Sequence, residues 1–256
     1  MDYMRDTISE NLAHFLNKVY VKIDVKNSVS EKEYRAKLTE KFGLDIHFEY
    51  EVIESCYWLI EDTELAIRDF EEFGLQGPTR IKNNIGEKYL RLYGFLNAIN
   101  LQKSIIVQLY EIFKIPYKKE IINRLKEIEL IKLRNKIASH SVDYIENGSR
   151  DFFRISRPTL EHQYDGLHII GKKGLEKFNL IKLLVEFKEI FNAELYKICT
   201  YLLKKFFIEK SKNYKELKQV LHLIEQRISG NIVMQHPFED SFTIIKSDIN
   251  AIKKGN

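Results

Sequence analysis

"IGEKYLRLYGFLNAINLQKSIIVQLYEIFK", Ile85 to Lys114, is apolar on most of its helical circumference between Tyr89 and Phe113. A helix without one wholly polar face must pack on several sides, so the stretch predicts a central helix with neighbours around it. Gly94 lies within it. Glycine weakens a helix, and its missing side chain predicts a close approach by a neighbouring helix at that point.

Working outward, Val52, Ile53, Tyr57, Leu59, Ile60, Leu65, Ile67 and Phe70 recur at helical spacing among acids from Glu49 to Phe73, which predicts a long amphipathic helix. "GLQGPTR", residues 74–80, then turns the chain. Ile8, Leu12, Phe15, Leu16 and Val19 predict a first helix from Asp2 to about Tyr20. Between these, Ser30 with Glu33 three positions later reads as a capping box opening a short helix that Gly43 ends. Pro116 separates the central helix from another that begins at Lys118 and carries Ile121, Ile122, Leu125 and Ile128. "DFFRISRPTLEHQYDGLHIIGKKG", residues 151–174, changes to short alternating runs with Gly166, Gly171 and Gly174, which predicts a small β-hairpin or irregular excursion. Helical periodicity returns from Leu175 to Ile208 and again from Asn213 to Ile228, and "SGNIVMQHPFEDSF", residues 229–242, reads as mostly loop.

The pattern defines a mainly all-α protein: an up-and-down bundle of five to seven helices with a small β insertion, and neither a repeat nor a parallel βαβ alternation. With 11 glycines and 4 prolines in 256 residues and no Gly/Ser linker, no boundary between domains is marked. One domain over residues 1–256 is expected, its core at about 49–208, with helices 2–20 and 213–228 as additions.

A composition 44% hydrophobic and 12% aromatic can bury a sizeable core. The formal charge is only +4, yet Lys114, Lys118, Lys119, Arg124, Lys126, Lys132, Arg134 and Lys136 gather in one run, and Lys204, Lys205, Lys210, Lys212, Lys215 and Lys218 in another. A solvated helix face is the common meaning of such runs, and phosphate binding the sharper one. Cys56 and Cys199 stand apart in apolar surroundings without metal or disulfide spacing, which predicts core residues in a reducing compartment. "MDYMRDTISENL" has acids where a secretory signal carries a basic region, and no segment approaches a membrane span, so a cytoplasmic protein without membrane contact is expected. There is no glycine-rich phosphate loop, GxSxG elbow or Walker motif, which leaves nucleotide hydrolysis, hydride transfer and serine-hydrolase chemistry without support.

The chemistry lies in "ELIKLRNKIASHSVDY", Glu129 to Tyr144. Arg134 is followed by Asn135, and His140 comes after five intervening residues, with small Ala138 and Ser139 just before it. One ordinary reading is a helix terminus, with Arg and His interacting with the last carbonyls and Asn capping the next turn. The stretch also resembles the arginine, polar residue and histidine signature of the HEPN superfamily, small all-helical domains that act widely as RNA-cleaving toxins and defence effectors. The lead-in "GEKYLRLYGFLNAINLQKSII" is similar to the buried helix that precedes this signature in bacterial members, so the resemblance covers about Gly86 to Tyr144. A second pair, Arg157 and His162, is followed at once by Pro158 in the irregular region, where a rigid helical site is not expected.

The resemblance implies a metal-independent endoribonuclease, acting as a toxin of a toxin–antitoxin pair or as an antiviral defence effector, with no cofactor. Its partners would be RNA, a second copy of the chain, and an antitoxin or defence protein. Histidine titrates near neutral pH and can move the proton of a ribose 2′-OH, the role that falls to His140. Arginine stays ionised and presents a two-pronged donor fork to phosphate oxygens, the role of Arg134, while the Asn135 amide orients phosphate or imidazole. Lys132, Lys136, Ser139 and Tyr144 are the expected supporting or RNA-binding residues, Tyr144 lying one helical turn past His140. Six residues rotate about 240° around an ideal helix, so Arg134 and His140 share a face only if the helix bends between them. Members of the family meet this by dimerising, with two motifs across a twofold axis, and a homodimer is therefore expected here. The alternatives are a non-catalytic HEPN-like scaffold for a protein or nucleotide partner, and an unrelated helical interaction protein.

Glu161, His162, Asp165 and His168, and likewise His236, Glu239 and Asp240, are metal-ligand types without a helical register, and no metal site is expected of them.

Overall fold

The computed structural model describes residues 5–22, 30–44, 49–78, 84–139, 144–146, 148–162, 164–235 and 242–246. Among them the helices are α1 (Ile8–Lys22), α2 (Glu31–Phe42), α3 (Glu49–Phe73), α4 (Ile85–Ile112), α5 (Lys118–Glu127), α6 (Glu129–Arg134), α7 (Arg157–His162), α8 (Leu180–Phe206) and α9 (Lys212–Ile228). A π-helical turn, Asn135–Ser139, continues α6. The strands are β1 (Tyr144–Glu146), β2 (Ser149–Asp151), β3 (Arg154–Ile155), β4 (Gly166–Gly171), β5 (Gly174–Asn179), β6 (Ile232–Gln235) and β7 (Phe242–Ile245). The protein is mainly α-helical with small antiparallel sheets, as the periodicity predicts.

The chain packs as two compact units, residues Met1–Ile60 with Asn192–Asn256 and residues Glu61–Phe191, the division falling within α3 and within α8. In the first unit, α1 packs along α9 and buries Leu12, Phe15, Leu16 and Val19. The helix begins later than its apolar spacing alone implies, because Thr7 and Glu10 form a capping box. Thr7 Oγ1 accepts from Glu10 N at 3.1 Å and the Glu10 carboxylate accepts from Thr7 N at 3.0 Å. In α2 the expected caps are present: Ser30 Oγ accepts from Glu33 N at 3.2 Å, and Gly43 closes the helix at φ 68°, where a side chain would be strained. Both thiols are buried in this unit; burial pushes Cys56 up to about 12 and raises Cys199 well above its ordinary value. The expected C-terminal loop is instead the antiparallel pair β6–β7, with Ile232 opposite Ile245; Ile232 and Val233 are β-branched residues in a short apolar run, which suits a strand.

The second unit is built on α4, which α5, α6 and α7 contact. Leu92, Phe95, Leu96, Ile99, Ile105, Ile106 and Leu109 are all buried, and Phe95 stacks on Phe70 of α3 with ring centroids 3.9 Å apart. Gly94 does not serve a close approach: it faces outward, and a Cβ there meets nothing within 4 Å. The insertion after the motif is a hairpin, β1–β2, followed by the three-stranded antiparallel sheet β3–β4–β5. Leu175 to Asn179, read as the start of a helix, pairs with β4 from Leu175 opposite Ile170 to Asn179 opposite Gly166. Its short apolar run fits either period, and the Gly171–Gly174 turn decides for the strand. Helix α8 then opens where Asn179 Oδ1 accepts from Lys182 N at 2.8 Å. Two helices, α6 and α7, exceed the expected count of up to seven. Ile128, at φ −62° and ψ 125°, breaks α5 from α6, and Pro158 lies in the first turn of α7, where its missing N–H costs nothing. No helix among the described residues is long and apolar enough to cross a membrane.

Candidate functional site

The motif is positioned by burial on one side. Leu130, Ile131, Leu133 and Ile137 are between 0% and 4% exposed, which seats α6 and the π turn in the core of the second unit. That leaves Glu129, Lys132, Arg134 and Lys136 toward the surface. Arg134 ends α6 half-buried and donates from Nη1 to Asn135 Oδ1 at 3.1 Å; the Asn135 backbone N–H bonds the carbonyls of Ile131 and Lys132. From Asn135 the chain widens into the π turn, which takes more residues per revolution than an α-helix and so changes the rotational phase of everything after Arg134. Such local widenings inside helices recur at functional sites. Ser139 closes the turn, and His140 lies outside the described residues.

The cations of the motif differ sharply in their surroundings. Lys132 is bound by Glu127 at 2.9 Å and Glu129 at 3.1 Å, and the hydrogen bonds it donates to these carboxylates hold its ammonium above the ordinary lysine range. Lys136 pairs with Glu176 at 2.8 Å and lies 5.0 Å from the centroid of the Phe153 ring. Tyr144 meets the same ring edge-on at 5.3 Å. Tyr144 lies in β1 and not a helical turn beyond His140, because the helix gives way to the β1–β2 hairpin. Lys136, Phe153 and Tyr144 thus join the π turn to the sheet region. Arg134 has no carboxylate partner among the described residues, and its one hydrogen bond here goes to a neutral amide.

A further cation stands beside it that the motif spacing does not contain. Lys103, on α4, is half-buried; burial first, then the positive charges of Arg134 and of Lys126 on α5, lower its proton affinity below the lysine norm. It has no carboxylate partner among the described residues either. The only trace of Lys103 in the sequence is a charge inside the otherwise apolar "INLQKSII".

The other expected candidates lie as follows. Asp165 accepts from the Asn179 amide at 2.8 Å and so ties down the start of α8; His168 is in β4 opposite Lys177. Among the described residues no group of three or more His, Cys, Asp or Glu side chains gathers in a way that could hold a metal ion. His236, Glu239 and Asp240 lie outside the described residues. Arg157 and His162 fall at the two ends of the short α7. Comparison with family models, with curated proteins and with solved structures finds no match for this chain.

Proposed function

We propose that the protein is a metal-independent endoribonuclease of HEPN type, acting as a homodimer on RNA. The observation that carries the reading is Arg134. It is a half-buried guanidinium with no carboxylate partner among the described residues, at the point where α6 becomes a π turn, while the lysines on either side are neutralised by Glu127, Glu129 and Glu176. An arginine in that state has its donor fork available for a phosphodiester. In the proposed reaction the 2′-OH attacks the adjacent phosphorus, His140 takes the hydroxyl proton, and Arg134 stabilises the charge that grows on the phosphoryl oxygens. The P–O5′ bond breaks, the leaving 5′-oxygen takes a proton from water, His140 returns its proton to solvent, and the upstream fragment ends in a 2′,3′-cyclic phosphate. Asn135 holds Arg134 in place through its Oδ1. The role of His140 rests on the sequence resemblance alone, as do the homodimer and an antitoxin or antiviral-defence partner.

The test is incubation of wild type, Arg134→Ala and His140→Ala with total tRNA and a long single-stranded RNA in EDTA. The expected result is cleavage by wild type only, with products ending in 2′,3′-cyclic phosphate. Full activity in either variant contradicts the assignment. Absence of cleavage by all three, with retained RNA binding, would replace it by a non-catalytic RNA-binding scaffold.

A further inference from the structure

Lys103 is costly where it stands. It sits in the helix that forms the core of its unit, with Gln102 and Ile106 beside it at 0% exposed and Ile105 at 2%. Helices α5 and α6 pack on α4 and on each other, and they bring Lys126 and Arg134 to add like charge there; among the described residues no carboxylate is paired with any of the three. Elsewhere in this unit the partly buried cations have found anionic or carbonyl partners: Lys188 with Glu71 at 3.0 Å, Arg91 with Asp69 at 2.8 Å, and Lys88 with the carbonyl of Glu161. Half-buried positive charge left uncompensated is unfavourable in the free protein, and an anion arriving there relieves it.

We infer that Lys103, together with Lys126 and Arg134, forms a phosphate-binding site for a single strand of RNA, Lys103 holding a second phosphate of the strand whose scissile phosphate Arg134 holds. This rests on the RNA reading above and adds to it a binding residue from a helix outside the motif. An ammonium acts here as a point charge, so the contact is indifferent to base sequence and adds affinity and register to any strand. Lys126, exposed at the rim, extends the same positive surface along α5.

The experiment measures binding of a 2′-O-methyl RNA 12-mer, which cannot undergo attack by its 2′-oxygen, by fluorescence anisotropy over a series of salt concentrations. The full chain is used as wild type, Lys103→Gln, Lys103→Arg and, as a control from the other basic run, Lys204→Gln. Lys103→Gln is expected to weaken binding roughly 10-fold at low salt and to flatten the slope of log affinity against log salt by about one phosphate contact. Lys103→Arg should keep most of the affinity, and Lys204→Gln should match wild type. Unchanged affinity and slope in Lys103→Gln, or an equal loss in Lys204→Gln, overturns the inference while leaving the ribonuclease reading intact. Binding of the 12-mer by wild type without cleavage of any natural RNA removes the nuclease and leaves the site; no binding by wild type removes both.

Discussion

The two basic runs of this chain have nearly the same composition and opposite surroundings. Lys204, Lys205, Lys210, Lys212, Lys215 and Lys218 are all exposed on α8, α9 and the connection between them. Lys205 lies 5.7 Å from the ring of Tyr201 and 5.4 Å from that of Phe206, Lys218 lies 5.9 Å from Tyr214, and Lys212 reaches Glu216 only at 3.9 Å. Water solvates these exposed charges, so they carry no specific demand for a bound anion. In the run from Lys118 to Lys136 some cations are neutralised by acids, but Arg134, joined by Lys103 from α4, is half out of water and has no carboxylate partner among the described residues. The difference teaches that the count of lysines says little about binding; what matters is which charge has been removed from water without a partner.

The largest break in this comparison should come from Arg134→Ala, which is expected to lower RNA cleavage on the order of 10²-fold or more, as loss of a donor to a developing oxyanion does. The pair Lys204→Gln and Lys205→Gln should leave the rate within about 2-fold, since such exposed charges are screened. A second effect is thermodynamic. Lys103→Met should raise the unfolding free energy read from urea denaturation by on the order of 1 kcal/mol while weakening RNA binding, the trade expected when a charge is kept for a ligand. Its pH signature has a definite sign. The folded chain holds the Lys103 proton less tightly than the unfolded chain does. Between that lowered value and the ordinary 10.5 the unfolded chain therefore carries the extra proton, and the stability contributed by this group rises with pH. Lys103→Met should lose that rise, whereas Lys212→Gln should keep it. The smallest effect is a control: Gly94→Ala, at an outward position with nothing within 4 Å, should stabilise α4 by about 0.5–1 kcal/mol and leave RNA binding unchanged. A gain in stability without loss of binding separates packing from charge.

Much of the helical framework was legible because its signals are local. The acids and apolar residues from Glu49 to Phe73 define α3 end to end, and Ser30, Glu33 and Gly43 mark α2 by side-chain and backbone chemistry within one turn. What escaped depends on partners distant in the chain. Leu175 and Phe178 suit a helix until β4 pairs with them, and Ile128 breaks a helix with neither proline nor glycine. Gly94 carries no information about a neighbour that only the folded bundle can supply. In the site, Arg134 and Asn135 were readable from their spacing in the motif, and the structure joins them through one hydrogen bond. Lys103 was not readable, because its significance arises from α5 and α6 packing on α4 and bringing the positive charges of Lys126 and Arg134 to it.

The most direct test of the account is a lysine-by-lysine footprint: brief acetylation of the wild-type chain with and without the 2′-O-methyl RNA 12-mer, followed by quantification of modification at each lysine. Protection of Lys103 and Lys126 by the strand is expected, with Lys204, Lys205, Lys210, Lys212, Lys215 and Lys218 modified equally in both conditions. Protection of the second run, or equal modification of Lys103 and Lys126 with and without bound RNA, would contradict it.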